Sequence, residues 1–469
     1  MKRTLAIARL TFWEGIRMRI VLVLLIVLVF IVLRLPFALR GDETLAGRLQ
    51  TFLAYSLGAL GFFLSLATVF FACATLTREF QTRTLHLVVT KPVSRFQVLL
   101  GKWIGVNALN LLIVVLAGLV IYGFARFIKS RPEAFARDRV VIEDVVWTAR
   151  LAANPTRPDF LAMAERRVKE LEESGQEFLR GRQAAILEYA KQFETDWLQI
   201  PPGDARQYEF NNLAPPKDRD VVYQVRFKAR GVPIPIDEEL SIVWGIVDPT
   251  TGGVVAWFDT RKRHAEMHQF LIRAANVVVD GTAVLLVANP PVLEKPGYPP
   301  IRNDSSILFE GEDSLQILYK VGGFEGNYVR ALLLILFRLA FLSALGLFFG
   351  TFVSFPVACF CVLSVFVFCL GVPWWLEAIG ANIGAPNPTI DPYGRYGPWV
   401  RLLLVPVLKV LLPNFVAYDG VGKLIDGYVI DAKLMAWSAA HTLLYGLALL
   451  IAPGYLIFRS REVAAPVVH

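Results

Sequence analysis

Charge is scarce in this sequence, and so are cysteine and histidine. Only 19% of the 469 residues are Asp, Glu, Lys or Arg, where a soluble chain carries about a quarter. With 55% apolar residues, this excludes an ordinary soluble protein and calls for a lipid environment. All four cysteines, Cys73, Cys359, Cys361 and Cys369, lie inside apolar runs, so there is no disulfide framework. Cys359 and Cys361, two apart on a helix, point to different faces and read as small apolar fillers, not metal ligands. The sequence has no Gly-x-x-x-x-Gly-Lys-Ser/Thr loop to cradle ATP, no Gly-x-Ser-x-Gly elbow and no His-Glu-x-x-His helix. The nearest metal-like feature, His264 and His268, leads into the alternation of Phe270 and Ile272 and reads as a solvated strand edge. The net charge of +8 comes from the apolar flanks of the chain, since residues 129–328 are mildly acidic. That distribution suits membrane orientation and gives no reason to expect nucleic acid.

What the chain has is long apolar runs. Residues 1–19 carry Lys2, Arg3, Arg9, Arg17 and Arg19 beside Leu5, Phe12, Trp13 and Ile16, which predicts a basic amphipathic helix on the membrane surface. Apolar spans follow within 20–127, three in all, and the second and third are joined by a basic connection over 78–102. Residues 128–328 are mixed and charged. Their first part, about 158–197, has helical periodicity with Gly175 and Gly181 as breaks. The rest, about 219–322, alternates as short strands with a hairpin at Asp280-Gly281 and suggests a β-sandwich. Trp244 and Trp257, both in alternating strands, read as core. Residues 329–458 resume the membrane pattern with three more spans. These enclose a loop and an interfacial or re-entrant helix within 373–433, the helix itself over 399–412. Gly346, Gly350 and Ser354, four apart, offer a flat face for helix contact. Residues 459–469 form a basic tail. The expected fold is a polytopic α-helical membrane protein of about six transmembrane helices, with an α+β extracytoplasmic domain inserted between spans 3 and 4. The basic start, loop and tail all fall on the inner side.

The connection over 78–102 reads Arg-Glu-Phe-Gln-Thr-Arg-Thr-Leu-His-Leu-Val-Val-Thr-Lys-Pro-Val-Ser-Arg-Phe-Gln-Val-Leu-Leu-Gly-Lys. An acidic residue leaves one span, Pro92 ends a short helix, Pro-Val-Ser-Arg follows, and Leu-Gly-Lys opens the next span. This order resembles the coupling segment of type-2 ABC transporter permeases. The run Ala8-Arg-Leu-Thr-Phe-Trp-Glu-Gly-Ile-Arg17 is similar to that family's elbow, and so is Arg338-Leu-Ala-Phe-Leu-Ser-Ala-Leu-Gly346-Leu to its fourth span. Arg83 stands where the family more often has Gly, and the large outer domain departs from its minimal form. The resemblance implies a permease without nucleotide chemistry of its own, with ATP and Mg bound by a separate ATPase subunit on the cytoplasmic face. It also implies pairing as a homodimer or with a related permease, in a bacterial plasma membrane with both termini cytoplasmic. Glu79, Arg83, Thr84, Lys91, Pro92, Ser94, Arg95 and Lys102 would form the ATPase-coupling segment.

Inside the spans, Arg338 lies about 15 Å from the outer end of its helix at 1.5 Å per residue. Asn110 reaches a similar depth from the other side. A guanidinium there is expensive unless it meets protein or water, so Arg338 and Asn110 are expected to share a polar interior with Asn107 and His441. The competing function is a membrane anchor or receptor whose outer domain binds an envelope protein or polymer. An intramembrane hydrolase lacks a convincing nucleophile and base.

Overall fold

The computed structural model describes residues 2–38, 44–82, 93–131, 139, 141–176, 178, 181–214, 222–235, 237–273, 278–293, 301–311, 313–378 and 412–460. The chain divides into a helical unit, Met1–Ala149 with Gly322–His469, and a strand-rich unit, Arg150–Val321.

In the helical unit, α1 (Lys2–Arg17) and α2 (Arg19–Ala38) are bent by 63° at Met18. Helix α3 (Leu45–Gln81) starts where Thr44 accepts a hydrogen bond from the Gly47 amide. Helix α4 (Arg95–Lys129) opens with a capping box in which Ser94 and Gln97 satisfy each other's amides. Four helices are long and apolar enough to cross a membrane among the described residues: α3, α4, α7 (Phe324–Gly350) and α11 (Ala432–Ser460). The bent pair α1–α2 is a fifth if counted as one. Helix α8 (Phe355–Leu370) has 16 residues, about 24 Å, and is short against a hydrocarbon core of about 30 Å. Short helices α9 (Val372–Ala378) and α10 (Gly420–Ile425) complete the unit. The helix expected at 399–412 lies outside the described residues, apart from its last position.

Specific contacts fix the helix directions. Thr68 meets Asn110 and Thr75 meets Lys102, so α3 and α4 are antiparallel. Gly346 of α7 packs on Ala72 of α3, and Gly446 of α11 on Ala344 of α7, so these three run together. A Cβ at Gly105 would stand 2.5 Å from the Ala8 carbonyl oxygen, and one at Gly101 would stand 2.9 Å from that of Thr4. The amphipathic helix α1 therefore lies backbone against backbone on the start of α4. Within α11, Ala440–Leu444 and Gly446–Ile451 are wound as π-helix, a local widening often found at functional positions.

The strand-rich unit holds helices α5 (Phe160–Glu173) and α6 (Arg182–Leu198), separated where Gly175 and Gly181 adopt positive φ. One four-stranded sheet has the order β1 (Thr148–Ala153), β14 (Leu315–Gly323), β4 (Val222–Lys228), β8 (Met267–Arg273). A second runs β3 (Ala205–Phe210), β10 (Thr282–Ala288), β6 (Glu239–Val247), β7 (Val254–Arg263), with β9 (Val278–Val279) on β10. Tyr223, Val225, Phe227 and Ile317 of the first sheet share one core with Tyr208, Trp244, Leu285 and Val287 of the second. Two strands of this core, β1 and β3, precede the alternating region recognised in sequence. Asp280 and Gly281 both have positive φ, the turn that lets β9 and β10 pair with only two residues between them.

Trp257 corrects the sequence reading. It pairs with Gly245, one residue out of step with core Trp244, and so projects from the opposite face of the sheet, 54% exposed. Trp244 is fully buried.

Candidate functional site

Two cations, one buried and one half-buried, organise the helical unit. The first is Lys102, one residue after Gly101 and so on the α4 turn that packs against α1. Its side chain is 3% exposed and forms a 2.8 Å ion pair with Glu79 in the last turns of α3. The same ammonium donates to the Thr75 carbonyl at 3.0 Å and to Thr75 Oγ1 at 3.3 Å. That hydroxyl donates in turn to Glu14 of α1 at 3.1 Å, using both its acceptor and its donor capacity. One ammonium therefore binds three helices, with a carboxylate from each of the other two.

Arg95 adds a fourth helix. It donates to the carbonyls of Phe458 and of Arg459, the latter at 2.9 Å, and its guanidinium lies 5.4 Å from the Phe458 ring centroid. The start of α4 is thus tied to the end of α11. Of the coupling residues expected from the sequence, Glu79 and Lys102 meet each other, Ser94 caps α4, and Arg95 reaches the carboxyl-terminal helix. Arg83, Thr84, Lys91 and Pro92 lie outside the described residues. Glu79 lies within α3, which continues to Gln81, and Arg95 already belongs to α4.

The second cation is Arg338 of α7. It lines a small cavity of about 30 Å³ with Phe415, Tyr418, Asp419, Ser438 and Thr442, room for about one or two water molecules. The Arg338 Nε atom is buried without a hydrogen-bond partner among the described residues. Its guanidinium rests against Gly61 of α3, where any Cβ would collide with Nη2. Asp419 faces the same cavity, and its carboxylate caps α10 by accepting from the amides of Val421 and Gly422 at 2.9 and 3.1 Å. Tyr418 hydroxyl and His441 Nδ1 are 2.9 Å apart, which joins His441 to this cavity at one remove.

The two asparagines make separate contacts. Asn107 donates to Ser343 Oγ of α7 at 3.0 Å and to the Trp103 carbonyl at 2.8 Å. Asn110 accepts from Thr68 of α3 at 3.0 Å, while its Nδ2 is buried without a partner among the described residues. Arg338 and Asn110 nevertheless address one face of α3, at Gly61 and Thr68, seven residues and about 10 Å apart. Glu14, Thr75, Tyr418 and Asp419 escaped the sequence reading. Glu14 alone carried a signal, as the single acid in an otherwise basic helix. His264 sits in the turn between β7 and β8, and a ring nitrogen of His268 is 2.8 Å from the Arg263 carbonyl oxygen.

Residues 5–137 match the family model described as ABC-2 family transporter protein. Over these residues the chain is similar to the type-2 ABC permease family. The match covers α1 to α4 and with them Glu14, Thr75, Glu79, Ser94, Arg95, Lys102, Asn107 and Asn110. Arg338, His441 and the strand-rich unit lie beyond it. No curated protein matches the chain at a significant level.

Proposed function

We propose that this ABC-2 permease chain is the membrane subunit of a transporter driven by a separate ATPase, which grips the connection between α3 and α4 from the cytoplasm. The observation that carries this reading is the Lys102 cluster. An external push on the 82–94 connection reaches transport helices only if the helix ends beside it cannot rotate independently. The ion pair with Glu79, the Thr75 relay to Glu14 and the Arg95 contact to α11 supply that stiffness, and α1 lies along the same lever. In this reading the amino and carboxyl termini are cytoplasmic in a bacterial plasma membrane, α2 and α8 add to the crossing helices to give six, and two permease chains pair. ATP and Mg belong to the partner.

Arg338 supplies the second part of the proposal. A guanidinium at mid-membrane depth without a committed counter-ion, beside a polar cavity and a π-wound stretch of α11, marks the route along which the permease responds or its cargo passes.

The test is to purify the tagged chain from its native host in mild detergent and identify stoichiometric partners by mass spectrometry, beside a variant whose residues 83–92 are replaced by a Gly/Ser linker. An ATPase held by the parent and lost by the variant is the expected result. No ATPase with either chain, and an envelope protein held through the strand-rich unit, would favour the receptor reading instead.

A further inference from the structure

Away from both cations, α4 and α7 pack together, the Tyr328 hydroxyl donating to the Gly118 carbonyl at 2.7 Å, and the crease along them is an apolar groove of about 450 Å³. Leu111, Val115 and Leu119 line one wall, and Val329, Leu332 and Leu336 the other. Its size lies within the roughly 300–1,000 Å³ of ligand pockets. The groove runs along α7 from Glu325 to Leu336, about 16 Å at the helical rise. That is roughly one leaflet, half of a hydrocarbon core of about 30 Å.

Its mouth differs chemically from its floor. Tyr122 and Glu325 end the groove, and there Tyr122 stacks at a tilt on Trp147, with ring centroids 6.0 Å apart. The Glu325 carboxylate accepts from Trp147 Nε1 at 3.2 Å and from the Tyr122 hydroxyl at 3.4 Å, and the same hydroxyl accepts from Arg126 at 3.3 Å. Beyond Trp147 opens a second cavity, of about 470 Å³, whose charged walls among the described residues are Arg126, Lys129, Arg131, Arg139 and the acid Glu143. Lys129 lies over the Trp147 ring at 4.8 Å. A one-leaflet apolar slot thus ends at an aromatic girdle and continues into a basic chamber.

We propose that this slot and chamber form a binding site for an anionic phospholipid of the leaflet on that side, with one acyl chain between α4 and α7 and the phosphate among Arg126, Lys129 and Arg131. Ordinary annular lipid would fill the slot without regard to headgroup. Among the described residues the mouth carries four cations against two carboxylates, Glu143 and Glu325, and this excess is what selects a negative one. The site needs a membrane around the helices but no ATPase, so it stands apart from the transporter reading.

The test uses the full chain in nanodiscs made from equal amounts of phosphatidylglycerol and phosphatidylcholine. Phospholipid retained after transfer to mild detergent is read by native mass spectrometry. The parent is expected to retain phosphatidylglycerol in preference to phosphatidylcholine, and excess inorganic phosphate should not displace it. The triple variant Arg126→Gln/Lys129→Gln/Arg131→Gln should reduce that preference more than about tenfold, at roughly fivefold for each basic side chain. Leu119→Trp, at a 64% exposed position on the groove wall, should lose the retained lipid while keeping the basic mouth. Size-exclusion profiles establish that both variants fold. Equal retention of the two lipids by the parent, an undiminished preference in the triple variant, or displacement by inorganic phosphate would overturn the proposal.

Discussion

Lys102 is buried in the helical unit and Arg338 half-buried with its Nε enclosed, and their surroundings are opposites. Around Lys102 the counter-charge is complete: Glu79 at 2.8 Å, two oxygens of Thr75, and Glu14 behind the threonine hydroxyl. Around Arg338 it is not. Among the described residues, the one acid at its cavity, Asp419, caps α10 and forms no ion pair with the guanidinium, and Nε has no hydrogen-bond partner. Burying an ion costs several kcal/mol unless its partners restore what water gave. A site that keeps its partners is built for rigidity. A site that withholds them stores a demand that another conformation, or a passing polar group, can meet.

Removing each cation should therefore change stability with opposite sign. Lys102→Met leaves two carboxylates facing apolar helix surface and should cost about 3–5 kcal/mol, seen as a large fall in the unfolding temperature in detergent. The double variant Lys102→Met/Glu79→Gln should recover much of that loss, because the two groups are coupled. Arg338→Met deletes an ion whose solvation was never restored, so stability should be unchanged or higher by about 1–4 kcal/mol. Transport in reconstituted vesicles should nevertheless fall. Transport equal to that of the parent would remove Arg338 from the mechanism, and a loss of stability matching Lys102→Met would erase the distinction between the two sites.

A smaller effect isolates the packing of Arg338. Gly61→Ala pushes a methyl group against the guanidinium and should cost about 1–3 kcal/mol as overpacking. In the Arg338→Met background the flexible thioether can yield, and most of that cost should vanish. An equal cost in both backgrounds would mean that the methyl group meets something other than the guanidinium.

How much of this was legible follows from the range over which each signal acts. An Arg in an apolar run is visible because lipid forbids it locally, so Arg338 stood out from the sequence. Its surroundings did not, since Gly61 and the adjacent Tyr418 and Asp419 come from two distant segments and each is unremarkable alone. Glu79 and Lys102 were legible as positions but not as a pair, because the connection between them hides that α3 and α4 run back to back. The alternation of Tyr223, Val225 and Phe227 gave one face of a sheet. The partners β1 and β3 were missed because a strand set before or beside a helical pair carries too few residues to show a period. Trp257 shows the limit of alternation as a guide. It identifies two faces, and only the register with Gly245 says which of them is covered.

The exposed carboxylate of Asp248 extends the comparison to a charge that never left water, and here the effect should be smallest. In the turn between β6 and β7 it accepts from the Thr250 hydroxyl at 2.6 Å, the Thr250 amide at 2.9 Å and the Thr251 hydroxyl at 3.0 Å. The hydrogen bonds from Thr250, more than those from Thr251, hold its pKa below the ordinary carboxylate value. A depressed folded-state pKa contributes stability that is present above the unfolded value, near 4, and is lost as pH falls through the folded one. The fall in unfolding temperature caused by Asp248→Ala should therefore be larger at neutral pH than at about pH 3. Lys102→Met differs in kind. Its penalty comes from burial and should be far larger at neutral pH. If Asp248→Ala cost as much as Lys102→Met at neutral pH, burial would not be what separates these sites, and the contrast between paired and unpaired cations would lose its physical basis.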